Sequence, residues 1–149
     1  VTLPEWDESL PYALWRAHQV VQRVVTAELE SAGVTINQIG ILVHLDSEGP
    51  RSASELARRF RITPQSASTA LQVMAARGWV EAFPHPTHGR VVLHRPTEDG
   101  VEAARDAQQR LARVNARLDE LLGEDLRAQL VERLEVVDRT LGGPRDDER

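Results

Sequence analysis

Cysteine and lysine are both missing from this 149-residue chain. Without cysteine there is no disulfide, no thiol redox sensing and no cysteine metal site. Without lysine, all 18 basic residues are arginine. A GC-rich genome produces that usage as readily as a need for planar phosphate-binding forks does. Aromatic residues make up 4% against 41% hydrophobic residues in all, so leucine, valine and alanine must carry the packing. No apolar run approaches the ~18 residues that a membrane span needs. The N-terminal stretch VTLPEWDESL is acidic and lacks a signal-peptide pattern. One cytoplasmic domain spanning residues 1–149 is the expectation.

A net charge of −5 argues against a nucleic-acid partner, but the charge is unevenly spread. Residues 51–96 hold seven arginines and two acids, a local net charge of +5. The ends are correspondingly acidic. A cationic middle between anionic ends is the asymmetry expected of a chain whose middle meets phosphates.

The apolar spacing predicts a long first helix over 9–32, with Leu14, Val21, Val24, Val25 and Leu29 on one stripe. Gly33 stops it. VTINQ supplies Thr35 as an N-cap with Gln38 three residues on, a capping box that opens a second helix bearing Ile39, Leu42, Val43 and Leu45. Ser52 and Glu55 repeat the device for a short helix with Leu56 and Phe60 inward. After the break RIT, Thr63 caps a further helix with Pro64 at its first position. Two short helices joined this tightly read as a helix-turn-helix. After Gly78 the period becomes two, in WVEAF and RVVLHRP around the loop PHPTHG, which predicts a β-hairpin. Thr97 opens a long helix with Glu98 and Asp99 in its first turn, and Gly123 separates it from a last one. A charged tail, GGPRDDER, closes the chain.

The fold expected is mainly α with a small β-hairpin wing. A winged helix-turn-helix module spans 35–96, and outer helices over 9–34 and 97–142 are too long to serve that module alone. Their stripes point to pairing in a two-fold homodimer, with a monomeric bundle as the other arrangement.

The stretch RITPQSASTALQVMAARGWV carries no charge between Arg61 and Arg77. At 100° per residue, Ala67, Ala70, Leu71 and Met74 gather on one side, and Gln65, Ser68, Thr69, Gln72 and Ala76 on the other. A solvated helix face usually carries charges. A face of amides and hydroxyls suits the major groove, where glutamine pairs with adenine and serine or threonine contacts bases of either type. Gln65, Ser68, Thr69 and Gln72 are therefore the candidate base readers. Ser52, Ser54, Thr63 and Ser66, with Arg58, Arg59, Arg61 and Arg77, are candidate phosphate contacts, which give affinity without sequence information. Arg90 follows the wing loop and is the candidate wing contact.

Together these segments resemble the MarR family of winged helix-turn-helix transcriptional regulators. VTINQIGILVHL is similar to the family's "LTxxQ" helix start, SASELARRFRITPQSASTALQVMAARGWVE to its helix-turn-helix core, and PTEDG to the "LTxxG" that opens its long dimerisation helix. The resemblance implies a triangular homodimer whose winged modules straddle a pseudo-palindromic operator, a repressor relieved by a small ligand held between the dimer helices and the reading module. It places Trp15, His18 and His44 on helices flanking that cleft. The chain also departs from the family. The wing's usual Asp-x-Arg reads His88, Gly89, Arg90, and the charges common in the reading helix are replaced over Ser68–Ala75. The double arginine that often follows is Ala82-Phe83. The alternative is a winged-helix protein-interaction module without sequence-specific DNA binding.

Catalysis and metal binding are expected to be absent. No Gly-rich phosphate loop, nucleophile elbow or metalloprotease motif is present. His85, His88 and His94 cluster near the wing without metal-site spacing, so no cofactor and no metal are expected. His88 beside Arg90 suggests a pH-sensitive wing.

Overall fold

A computed structural model of the chain describes residues 8–142. The acidic N-terminal stretch before Glu8 and the charged tail after Gly142 lie outside the described residues.

Helix α1 (Leu10–Glu30) runs into α2 (Ile36–Glu48), then a two-residue strand β1 (Arg51–Ser52), α3 (Ala53–Arg59) and α4 (Pro64–Ala76). Strands β2 (Val80–Pro84) and β3 (Val92–Pro96) form the hairpin, and α5 (Glu98–Leu122) and α6 (Glu124–Gly142) complete the chain. The three strands form one antiparallel sheet in the order β1-β3-β2. Arg51 lies opposite His94 and Ser52 opposite Leu93, while Val80 to Pro84 run against Pro96 to Val92. The return strand is shorter than its sequence suggested. It begins at Val92, leaving Arg90 and Val91 in the loop. Strand β1 was not foreseen, because two residues carry no periodicity.

Both capping boxes form. The Thr35 N–H donates to Gln38 Oε1 at 3.0 Å, and the Thr35 hydroxyl accepts from Gln38 N at 3.3 Å. The Ser52 N–H donates to Glu55 Oε2 at 2.7 Å, and Ser52 Oγ accepts from Glu55 N at 3.3 Å. Each cap is worth about 1 kcal/mol against alanine. Burial would raise the Glu55 pKa. Hydrogen bonds from Ser52, with Arg51 and Arg58 nearby, outweigh it and hold the carboxyl below its ordinary value.

Two apolar clusters anchor these elements. Ile41, Leu42, Leu45, Leu56, Leu71, Met74, Val80 and Ala104 form the core of the winged module. Val25, Leu29, Val34, Ile39, Ala107 and Val114 tie α1, α2 and α5 together. The base of the wing is locked onto α5 by close backbone approach. Thr97 N donates to Trp79 O at 3.0 Å, and the Thr97 side chain caps Gly100 N at 3.1 Å. A Cβ at Gly100 would stand 2.0 Å from the Trp79 carbonyl oxygen, so only glycine fits there.

The outer helices are different. Of the stripe read on the first helix, Val25 and Leu29 are buried, Val24 is half-buried, and Leu14 and Val21 remain exposed. Helix α6 buries none of its residues in the single chain. Among the described residues no helix is long and apolar enough to cross a membrane.

Candidate nucleic-acid interface

Helix α4 starts where the sequence sets it. Thr63 is extended, its hydroxyl accepts from Ser66 N at 3.0 Å, and Pro64 takes the first turn. Ala67, Leu71 and Met74 are buried against α2, α3 and β2. That fixes the opposite side outward. Gln65, Ser66, Thr69, Gln72 and Ala76 are exposed, and Ser68 is half-buried at the margin. Val73 and Ala75, which the helical period did not assign to that side, also face solvent. No residue of α4 carries charge.

The phosphate candidates divide by what already holds them. Ser52 and Thr63 are helix caps, and the Ser52 hydroxyl also donates to Glu55 Oε2 at 2.6 Å. Ser54, Ser66 and Arg58 are exposed around the two short helices, the Ser66 hydroxyl lying 2.8 Å from that of Thr63 and Arg58 near the Glu55 carboxylate. Arg59 lies 3.6 Å from Glu48, which also faces Arg51 at 3.9 Å and His44 Nδ1 at 2.9 Å. Glu48 thus gathers two arginines at the edge of the module, an organising role the sequence did not announce.

Arg61 and Arg77 face other parts of the protein. Arg61 occupies the left-handed region, with φ of 50°, in the turn between α3 and α4. Its guanidinium donates to the Asp138 carboxylate at 2.7 Å and to the Asp138 carbonyl at 3.0 Å, and also to the Gly142 carbonyl. It therefore latches the turn to α6. Arg77 donates to the Gly33 carbonyl and stacks 4.7 Å above the Trp79 ring. Sequence offers no sign of either tie, since the partners lie 77 and 44 residues away.

In the wing, Val91 N donates to His88 O at 2.8 Å, closing a turn with Gly89 and Arg90 at its centre. Arg90 stands exposed at that tip. The aspartate that the resemblance led one to look for is missing, and another side chain organises the loop. His85 Nδ1 accepts from Thr87 N and His88 N, both at 3.2 Å, as an aspartate oxygen would. The His88 ring rests against His85, with centroids 4.8 Å apart. His94 instead sits in the sheet between Arg51 and Ala82. Burial lowers its pKa, partly offset by the Arg51 backbone. Among the described residues no three His, Cys, Asp or Glu side chains converge as a metal set.

The three cleft candidates are not brought together. His18 lines a groove of about 530 Å³ with Val21, Val25, Leu29, Val34 and Thr35, between α1 and the start of α2. Trp15 is not among its lining residues. It is exposed and stacked on Tyr12 at 5.9 Å. His44 is buried inside the winged module, edge-on to Phe60 and bonded to Glu48.

Comparison with known proteins agrees with this architecture. The family model described as "MarR family" matches residues 32–91. The HTH-type transcriptional repressor Rv2887 of Mycobacterium tuberculosis (strain ATCC 25618 / H37Rv) is 30% identical over 112 residues, 75% of this chain and 81% of that one. The chain belongs to the MarR family. An uncharacterized HTH-type transcriptional regulator, Mb0904 of Mycobacterium bovis (strain ATCC BAA-935 / AF2122/97), is 38% identical over 93 residues. That match spans 57% of this chain and 65% of the relative, just under two thirds of its length. Among solved structures, the transcriptional repressor CouR bound to a 23-mer DNA duplex is 28% identical, with a TM-score of 0.85 over 93% of this chain and 99% of that one. CouR bound to p-coumaroyl-CoA is 27% identical, with a TM-score of 0.81 over 94% and 99%. The MarR-family fold is thus a winged helix-turn-helix between outer helices, the arrangement described above.

Proposed function

We propose that this MarR-family chain is a homodimeric, sequence-specific DNA-binding repressor of a pseudo-palindromic operator, acting in the cytoplasm and relieved by a small ligand. The observation that carries this reading is the outward side of α4, exposed, uncharged and built of amides, hydroxyls and a few apolar groups. A carboxylate there would repel phosphates, and none is present. Gln65, Ser68, Thr69 and Gln72 read base edges, and Arg58, Arg59, Ser54 and Ser66 hold the backbone on either side. Ser52 and Thr63 contribute from their capping positions. Arg61 and Arg77 reach phosphate only by releasing Asp138 and Gly33. Arg90, at the tip of the wing turn, enters the minor groove. The DNA-bound CouR structure supports the class of partner.

The homodimer is supported by apolar side chains that one chain leaves in water. Leu10, Leu14, Trp15 and Val21 on α1, and Leu126, Leu130, Leu134, Val137 and Leu141 on α6, are all exposed. A surface of this extent on two terminal helices is the kind that a second copy covers. The groove beside His18 is the candidate ligand site, and the CouR complex with p-coumaroyl-CoA supports a ligand of small-molecule class.

Selection of duplexes from a random pool by the purified chain tests the reading. The expected result is an enriched inverted repeat. Gln72→Ala then relaxes preference at one position per half-site, with a cost of about 1–3 kcal/mol there. Equal weakening of every sequence removes Gln72 from base reading. No retained duplex, even in dilute salt, overturns the function itself.

A further inference from the structure

Between Arg51 and Trp79, among the described residues, Val73 is the one large apolar side chain left exposed, at 40%. The core does not need it, because Leu71 and Met74 fill the inward side of α4. The helix does not favour it either: a β-branched side chain is stiff at χ1 and a weaker helix former than alanine or glutamine. Single exposed hydrophobics are ordinary on protein surfaces. This one sits within a chemically consistent face. Thr69 is four residues before it, Gln72 is beside it, and Ala76 is three residues after it, all exposed and uncharged.

We propose that Val73 reads the 5-methyl group of a thymine adjacent to the base pair addressed by Gln72. The inference rests on the reading of α4 as the DNA-facing helix, and it adds which base Val73 selects. In the major groove, thymine differs from cytosine by an O4 acceptor and by the methyl, and the methyl is read through apolar contact. Residues 72 and 73 are separated by 100° and a rise of about 1.5 Å, so their side chains fan across neighbouring base edges rather than sharing one. The glutamine amide takes adenine and the valine methyls take thymine. Each half-site then centres on A·T pairs, and Val73 discriminates without a hydrogen bond.

The test uses the full chain and the duplex that it selects. Each thymine of one half-site is replaced in turn by deoxyuridine, which removes the methyl and leaves every hydrogen-bonding group. At one thymine, binding by the unaltered protein weakens about fourfold, the effect of returning one methyl to water. Val73→Ala loses the sensitivity at that thymine alone, and Val73→Thr, which keeps one methyl, retains part of it. As a surface change, Val73→Ala leaves the thermal transition in place. If the unaltered protein and Val73→Ala give the same deoxyuridine profile while Gln72→Ala and Thr69→Ala relax base preference, Val73 reads no methyl and the wider function stands. If substitutions at Gln72, Thr69 and Val73 all leave the selected sequence unchanged, α4 is not the reading helix and both ideas fall.

Discussion

The winged module and the outer helices are built from the same few residue types, yet they finish differently. In the module, Ile41, Leu56 and Met74 are fully buried within one chain, and each polar helix start is capped by its own neighbour. In α6, leucines and valines recur at the same helical spacing and none is buried. Periodicity marks a face that wants burial, but it does not say whether the covering surface lies in the same chain. The module solves its problem internally. Helix α6 leaves its stripe in water. Arg61 joins the two regions through Asp138, so the turn between α3 and α4 is fixed to the last helix.

The contrast can be broken most forcefully at its packed end. Leu56→Ala in the module core is expected to cost about 2–5 kcal/mol, read by urea unfolding, with a loss that does not depend on protein concentration. A comparable loss from Leu134→Ala at high dilution would erase the distinction. Next comes the unfinished end. Leu130→Arg with Leu134→Arg should weaken self-association at least roughly a hundredfold, about 3 kcal/mol, in sedimentation analysis, while the far-UV spectrum is retained. Unchanged mass across a dilution series would remove these residues from an interface.

A smaller effect sharpens the comparison from within the sheet. The pKa of His94 is lowered by burial, so the unfolded chain takes up the proton first. Stability should be level above the ordinary imidazole range near 6.5 and fall as pH drops through and below it. His94→Gln should reduce that slope by up to one proton, and an identical slope in both proteins would show that His94 is not responsible. The smallest change lies at the wing. Arg90→Ala should weaken all duplexes alike and reduce the slope of log affinity against log salt by about one per wing. His85→Ala, which removes the acceptor of two loop N–H groups, should act in the same direction by less. An unaltered salt slope in Arg90→Ala excludes its contact with the duplex.

Much of the winged module was legible in the chain because its determinants are local. Thr35 with Gln38, Ser52 with Glu55, and Thr63 before Pro64 each act within three residues, so spacing alone locates three helix starts. The two faces of α4 follow from its period, but Val73 lies at the edge of the outward side, and only packing shows it exposed. The pattern RVVLHRP reads as one strand because Arg90 and Val91 continue its alternation, yet both belong to the turn. His44 looked like a cleft residue by resemblance, yet packing turns it inward onto Phe60 and Glu48.

By itself, the sequence determined the order of elements, the helix boundaries set by caps and glycines, and the cationic middle flanked by acidic ends. Each depends on neighbours a few residues apart or on composition. Only the tertiary structure decided which arginines are committed, pairing Arg61 with Asp138 and seating Arg77 on Gly33 and Trp79. It also decided that His85 shapes the wing, that β1 joins the sheet, and that α6 keeps its apolar stripe in water. These outcomes depend on which distant groups meet, and a side chain's partner across the fold is fixed by packing rather than by its place in the chain.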